Sequence, residues 1–540
     1  MMESSRACSQ AMSPTLLRSL LLLIACSGLF ACGGGGGGDS APLSSAPPPP
    51  NWVQGTYAAS STYANKCASP RTGIDPSTNK AYVDTPGSTT WENFWLRSWT
   101  HETYLWYREV MDLSPATYSS ATAYFDTQET TAKTLSGKDK DQFHFWKATD
   151  EWIALSQSGV QAGYGIEWVF VADKPPRILQ VEYVEPNAPA FNTISRGAKV
   201  LSIDNVSIDS NTQAGIDTLN AGISPTLGTS HSFQFQEVNG FVHTVTLTAA
   251  NITSTPVQNV KTLANGAVGY MLFNSHLATS EQQLISAFAQ LKAANVSDLV
   301  LDIRYNGGGY LDIASEVAYM IAGSTATNGR TFERTVFNDQ YASTVNPVTG
   351  GSNTPTPFYT TALGFSATNG TALPTLNLPR VFVLTGDGTC SASESIINGL
   401  RGVGVTVIQI GNTTCGKPYG FYPQDNCGTT YFSIQFQGVN NAGFGDYADG
   451  FAPANSSGIG VKLPGCNVAD DLNHALGDPA ENRLADALYY RANSSCSPSI
   501  SIGELNQKQV QSVAASGETS GEPLTLPPQP WRDNRILTPR

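Results

Sequence analysis

Leu299-Val300-Leu301-Asp302-Ile303-Arg304-Tyr305-Asn306-Gly307-Gly308-Gly309 reads as a buried strand that runs into a glycine-rich turn. The strand is apolar throughout except for Asp302. Its surroundings alternate in the same manner. Val268 to Phe273 predicts a strand, and Ser280 to Ala294 a helix with Leu284, Phe288 and Leu291 on one face. Ile313 to Ile321 predicts a second helix, and Val381 to Leu384 and Val405 to Ile410 two more buried strands. Strands separated by helical patterns imply an α/β core, placed here at residues 256–500. Within it, residues 323–379 are rich in Thr, Asn, Gly and Pro and read as a long surface insertion.

Two further elements bear on chemistry. Ser391-Ala392-Ser393-Glu394 follows the turn Gly386-Asp387-Gly388, at the start of a predicted helix. As a local signal, Ser-x-x-Glu is a capping box, in which the serine caps the first turn and the glutamate reaches back. The same position suits a nucleophile. A helix N-terminus favours developing negative charge, and the Ala392 N–H can donate to an oxyanion. Lys417, in Thr414-Cys415-Gly416-Lys417, follows a buried strand and is either an exposed loop lysine or an inward-pointing amine that burial keeps neutral. Gly307-Gly308-Gly309 is either a tight turn or a source of N–H groups for a reacting carbonyl. It is no phosphate loop, because neither GxGxxG nor a Walker lysine is present.

Composition narrows the field. At 540 residues the chain exceeds one core. A net charge of −13 with no basic stripe excludes nucleic acid as a partner. Cysteine and histidine spacings match no zinc pattern, so no metal or other cofactor is expected. Arg18 precedes the apolar run Leu20 to Phe30, which ends Leu29-Phe30-Ala31-Cys32. This run is too short to span a membrane and resembles a bacterial lipoprotein signal over residues 1–32, with Cys32 as the lipidated residue. Phe30 departs from that pattern, Leu23-Ile24-Ala25-Cys26 is a second candidate box, and Met12 a plausible start. A plain secretory peptide fits the same h-region. The Gly/Ser/Pro-rich residues 33–55 read as a linker. Of nine cysteines, Cys8, Cys26 and Cys32 fall in this leader; the remaining Cys67, Cys390, Cys415, Cys427, Cys466 and Cys496 suit disulfides in an exported protein, with 15 possible pairings.

Trp91, Trp95 and Trp99 recur at helical spacing, which predicts a small helical domain over residues 56–155 with the aromatic stripe as its core. Residues 160–250 resemble a PDZ domain. Gly163-Tyr164-Gly165-Ile166 stands where such domains carry their carboxylate-binding loop, before the strand Ile178 to Val184 and the segment Arg196-Gly197-Ala198-Lys199. In that fold the loop N–H groups hold a peptide C-terminus while the peptide adds a strand to the sheet edge. The generic alternative is a small β domain without a ligand. Residues 501–540 are polar and Pro-rich, with Trp531 and Ile536-Leu537 as candidates to dock back on the body.

Taken in this order, the motifs resemble the C-terminal processing (tail-specific) serine peptidases, over about residues 90–500. The resemblance implies a multidomain α/β protein with a ClpP/crotonase-like Ser/Lys peptidase core. It implies Ser391 as nucleophile, Lys417 as general base, and an oxyanion hole from the N–H groups of Ala392 and of Gly307 or Gly308. Its partners would be protein or peptide substrates, with the membrane reached through a lipid anchor on the periplasmic face. Many members carry a Gln four residues after the lysine; here that position is Phe421, with Gln424 nearby. If Ser391 and Lys417 meet, Cys390 must lie near Cys415 or Cys427, and a disulfide to one of them is expected.

Overall fold

The computed structural model describes residues 48–75, 78–498, 524 and 534–536. Cys32, the signal-like stretch, most of the linker, Trp531 and Leu537 lie outside the described residues. The chain separates into Met1–Ser45 and Ala46–Arg540, and all the described residues belong to the second unit.

A six-stranded sheet carries the fold. Val257–Leu263 pairs antiparallel with Val268–Phe273, and the order continues through Asp298–Asp302, Arg380–Thr385, Thr406–Gly411 and Gly465–Cys466, all parallel. Side chains alternate across a strand, and here the alternation sorts them into two cores. Met271, Phe273, Leu299, Leu301, Val381 and Val383 pack with the helices Ser280–Ala293, Leu311–Thr327 and Ala392–Gly402. Val268, Tyr270, Val300, Phe382, Leu384 and Ile410 pack on the other face with Leu484 and Ala487 of the helix Asn482–Asn493. Coverage on both faces is why these strands read as unbroken apolar runs.

A second sheet spans Ile166–Ala172, Ile178–Val184, Lys199–Ile203, Val206–Ser207, Ser230–Gln236 and Val242–Thr248, closed by the helix Gln213–Ile223 around its own core. The tryptophan stripe lies on the helix Thr89–Thr103 and is buried, as its spacing predicts. Its core is not made locally, however. Tyr431 completes it, with its ring 5.6 Å from that of Trp95. Phe145–Ala148 pairs with Thr429–Phe432, and Cys67 is bridged to Cys427. The stretch 323–379 is also more than surface. Thr331–Val336 pairs with Phe436–Val439, and Phe332, Phe358 and Leu378 enter the main core.

At the carboxyl end of Asp298–Asp302 the side chain of Arg304 is wholly buried. It donates to Asp302 at 2.9 Å, to both oxygens of Glu481 at 2.8 and 2.9 Å, and to Asp470 at 2.7 Å. Asp470 also accepts from Arg196 at 2.8 Å, and Glu481 caps Asn482–Asn493. One guanidinium therefore joins the central strand, the last helix and, through Asp470, the second sheet. Arg304→Ala would strand two carboxylates with no exposure, at a cost of ~3–5 kcal/mol. Urea unfolding of the variant measures this; a loss below about 1 kcal/mol would show that the cluster is not needed.

Candidate active site

Arg380–Thr385 leads through Gly386-Asp387-Gly388 to Ser391, the N-cap of Ala392–Gly402. Ser391 has φ 61° and ψ −115°, a conformation that costs a residue with a Cβ ~1–3 kcal/mol and persists only where its surroundings impose it. Those surroundings are specific. The Cys390 N–H donates to Asn306 O at 3.1 Å, and Ser393 Oγ donates to the same oxygen at 2.8 Å. Cys390 is disulfide-bonded to Cys415, one of the two expected partners.

Glu394 is the fourth restraint. Its carboxylate is fully buried and accepts from the Ser391 N–H at 2.9 Å, the Gly416 N–H at 2.9 Å, the Lys417 N–H at 2.8 Å and Thr414 Oγ1 at 2.5 Å. The N–H groups of Ser391 and Lys417 meet at one oxygen, Oε2. Burial pushes the carboxyl above its ordinary value, against the pull of these hydrogen bonds. The arrangement is a capping box in outline. Its glutamate half is a hydrogen bond of 2.9 Å, whereas Ser391 Oγ, though it faces the Glu394 N–H across the box, is buried without a hydrogen-bond partner. Capping therefore does not consume the hydroxyl.

Lys417 is not the exposed loop residue that its type favours. It is fully buried, with Nζ 4.5 Å from the ring centre of Phe143 and 4.6 Å from that of Phe421. Phe421 thus stands beside the amine with a ring face in the place expected for an amide. Gln424 lies in the strand Gln424–Asn426, and its amide donates to Asp425 O at 3.3 Å. A second amide, which sequence reading missed, belongs to Gln435, which bonds the backbone on either side of Phe421. Its backbone N–H donates to Gly420 O at 2.9 Å and its Oε1 accepts from the Tyr422 N–H at 2.8 Å.

The glycine turn is also divided. The Gly308 N–H, one of the two expected from this turn, is engaged by Asn306 Oδ1 at 3.0 Å. Ala392 opens its helix, so its N–H has no intrahelical acceptor. Gly308 and Gly309 adopt φ 108° and 130°, and a Cβ on Gly309 would stand 2.6 Å from His276 O. His276 was not foreseen. Its N–H donates to Gly308 O at 2.9 Å, and the Tyr310 N–H donates to its carbonyl at 3.0 Å. It follows the strand Val268–Phe273, and the carboxyl ends of such strands are where sites collect in open α/β sheets; that was the available signal.

The loop Gly163-Tyr164-Gly165-Ile166 lines a cavity of about 550 Å³ together with Trp168 and Ile223. Gly165 and Ile166 also line a smaller cavity of about 60 Å³ that reaches Asn274, Tyr305 and Gly307. The loop and the glycine turn therefore share a wall.

His276 Nδ1 lies 3.0 Å from Asn306 Oδ1 and 3.2 Å from Gly308 O, both acceptors. The proton therefore sits on Nδ1, and Nε2 is buried with a lone pair and no partner. Burial lowers this imidazole from 6.5 to about 3. In the unfolded chain the ring charges below pH ~6.5, so its contribution to stability is whole above that pH. It declines by ~1.4 kcal/mol per unit as pH falls towards 3. His276→Gln is expected to remove about 2 kcal/mol of the stability lost between pH 7 and pH 5, measured by urea unfolding at both values. Parallel losses in variant and wild type would contradict this.

Residues 267–421 match the model of peptidase family S41, a span that takes in the glycine turn, Ser391 and Lys417. A carboxyl-terminal-processing protease of Picosynechococcus sp. is 25% identical over 275 residues, covering 49% of this chain and 56% of that protein's length. The crystal structure of a putative S41 protease from Bacteroides fragilis superposes with a TM-score of 0.54 at 21% identity, over 74% of this chain and 97% of its own, which shows a shared fold. On this mixed α/β framework the chain carries a peptidase family S41 domain.

Proposed function

We propose that the chain is a serine endopeptidase acting through Ser391 and Lys417. The observation that carries this reading is the single buried carboxylate of Glu394, which holds the backbone of both residues at one oxygen. Lys417 takes the proton of Ser391 Oγ, and Oγ attacks the scissile carbonyl carbon. The N–H groups of Ala392 and Gly307 receive the oxyanion. The tetrahedral species collapses to an acyl-enzyme, the leaving amine takes the proton from Lys417, and water then frees the acyl group. A base must start neutral, and withdrawal of the amine from water between Phe143 and Phe421 favours this. The two ring faces oppose it by attracting the ammonium. With Phe421 in place of an orienting amide, we assign a dyad.

Substrates are exported proteins whose C-termini enter the cavity beside Gly163-Tyr164-Gly165-Ile166, a PDZ-like mode in which loop N–H groups hold the terminal carboxylate. The wall shared with Gly307 supports passage of the chain from that loop to Ser391. Cys32 anchors the protein to a membrane by a lipid. Metabolic labelling with a radioactive fatty acid is expected to mark the wild type and to fail on Cys32→Ser; label retained on the variant would place the anchor elsewhere.

The unpartnered Ser391 Oγ favours one other reading, a peptide-binding protein without turnover. The chain from Asn51 onward is expected to cleave an unfolded protein, and Ser391→Ala and Lys417→Ala to lose roughly 10³-fold or more in kcat. Peptide binding without cleavage by any form would select the silent reading.

A further inference from the structure

The strand Gly308–Tyr310 has two edges. One is taken by the backbone of His276. Along the other lies Asn534–Ile536 of the same chain, parallel, with Gly308 opposite Asn534, Gly309 opposite Arg535 and Tyr310 opposite Ile536. Ile536 also bridges Phe421, again parallel. Three residues from the far end of the sequence therefore fill the gap between the glycine strand and the segment that follows Lys417. Ile536 is 1% exposed and belongs to the core cluster that holds Tyr310, Tyr419 and Phe421. A second anchor stands upstream. Leu524 is 2% exposed within the core of the second sheet, and its N–H donates to Asp173 O at 3.2 Å.

An extended peptide binds a sheet edge through main-chain hydrogen bonds, with side chains seated in pockets. A substrate whose carbonyl oxygen is held by Gly307 and Ala392 must run beside the residues that follow Gly307, and that edge is the one occupied. The reactive groups are also closed off, since Ser391 and Lys417 have no exposure. We propose that Asn534–Ile536 is an intramolecular pseudosubstrate: it occupies the substrate's strand position, with Ile536 in a side-chain pocket, and a protein chain must displace it before cleavage. This rests on the reading of Ser391 as nucleophile. It adds two properties to that reading. The resting enzyme is self-inhibited, and the competing substrate segment carries an aliphatic side chain in an extended stretch.

The test uses the full chain with Ser391→Ala, so that binding is read without turnover, and a fluorescent synthetic peptide of residues 524–540 as probe. The Ile536→Asp chain is expected to bind the probe at least tenfold more tightly than the chain with Ile536 intact, because its own strand has left the edge. A probe carrying the same Ile536→Asp change is expected to bind neither. Ile536→Ala, a milder change should the aspartate disturb folding, is expected to shift binding in the same direction by a smaller factor. Equal affinity of the probe for intact and substituted chains would overturn the proposal. In the Ser391 background, Ile536→Asp is expected to raise the rate of cleavage of an unfolded protein several-fold. An unchanged rate together with tighter probe binding would overturn the pseudosubstrate role. Tighter binding with no cleavage by any form would leave the displaced strand supported and remove the peptidase reading instead.

Discussion

A carboxylate removed from water must find its donors inside the protein or be expelled. Glu394 finds them in two segments at once, the helix start at Ser391 and the turn of Gly416 and Lys417. Losing any one donor would raise the cost of keeping the charge buried, so the carboxylate pulls both segments towards a single position. The Cys390–Cys415 bridge acts between the same segments, and its closed loop removes roughly 3 kcal/mol worth of freedom from the unfolded chain. Together they impose the positive φ of Ser391, which a lone capping interaction would not maintain. The hydroxyl that an ordinary cap ties to a helix N–H is here buried without a hydrogen-bond partner.

The same economy governs the sheet beneath. Asp302 and Arg304 end a strand buried on both faces, where an isolated charge of either sign would be untenable. Arg304 pairs with Asp302, Glu481 and Asp470 at once, which makes the strand end a polar knot inside an apolar layer. Asn306 then takes over two residues later. Its side chain donates to Phe273 O at 2.9 Å and accepts from Gly308, so the glycine turn leaves the sheet in one direction only. The glycine turn is thus aimed by the buried side chain of Asn306.

Elements whose partners lie close in sequence, or whose pattern is set by burial, were readable. The strand Asp298–Asp302, the helix Ser280–Ala293 and the tryptophan stripe follow from periodicity because one physical cause, removal of apolar area from water, decides them. Lys417 was readable only through the company of other motifs, since an isolated loop lysine is ordinarily exposed. Pairings set by tertiary closure could not be read. Tyr431 in the tryptophan core, Thr331–Val336 as a sheet strand and His276 against Gly308 each depend on a partner far along the chain, and nothing in the local residues names it. Gln435 escaped for the same reason. It reaches Gly420 and Tyr422 across a strand pair, whereas Gln424, nearer to Lys417 in sequence, is turned to Asp425.

Self-occupancy of the glycine edge follows from constraints that cleavage itself would impose. An edge beside oxyanion donors must be open to an extended chain, yet an open apolar edge next to a buried nucleophile invites any unfolded segment. Covering it with a short strand satisfies the backbone groups of Gly309 at rest. A three-residue ladder anchored by one isoleucine gives an affinity that a longer substrate, held also at the Gly163-Tyr164-Gly165-Ile166 loop, can exceed through its second attachment. The anchor of Leu524 in the second sheet joins the cover to the unit that would hold the substrate's terminus. Were the substrate's terminus held at that unit, engagement there and release at the glycine edge would draw on one segment, and recognition and opening would be a single equilibrium.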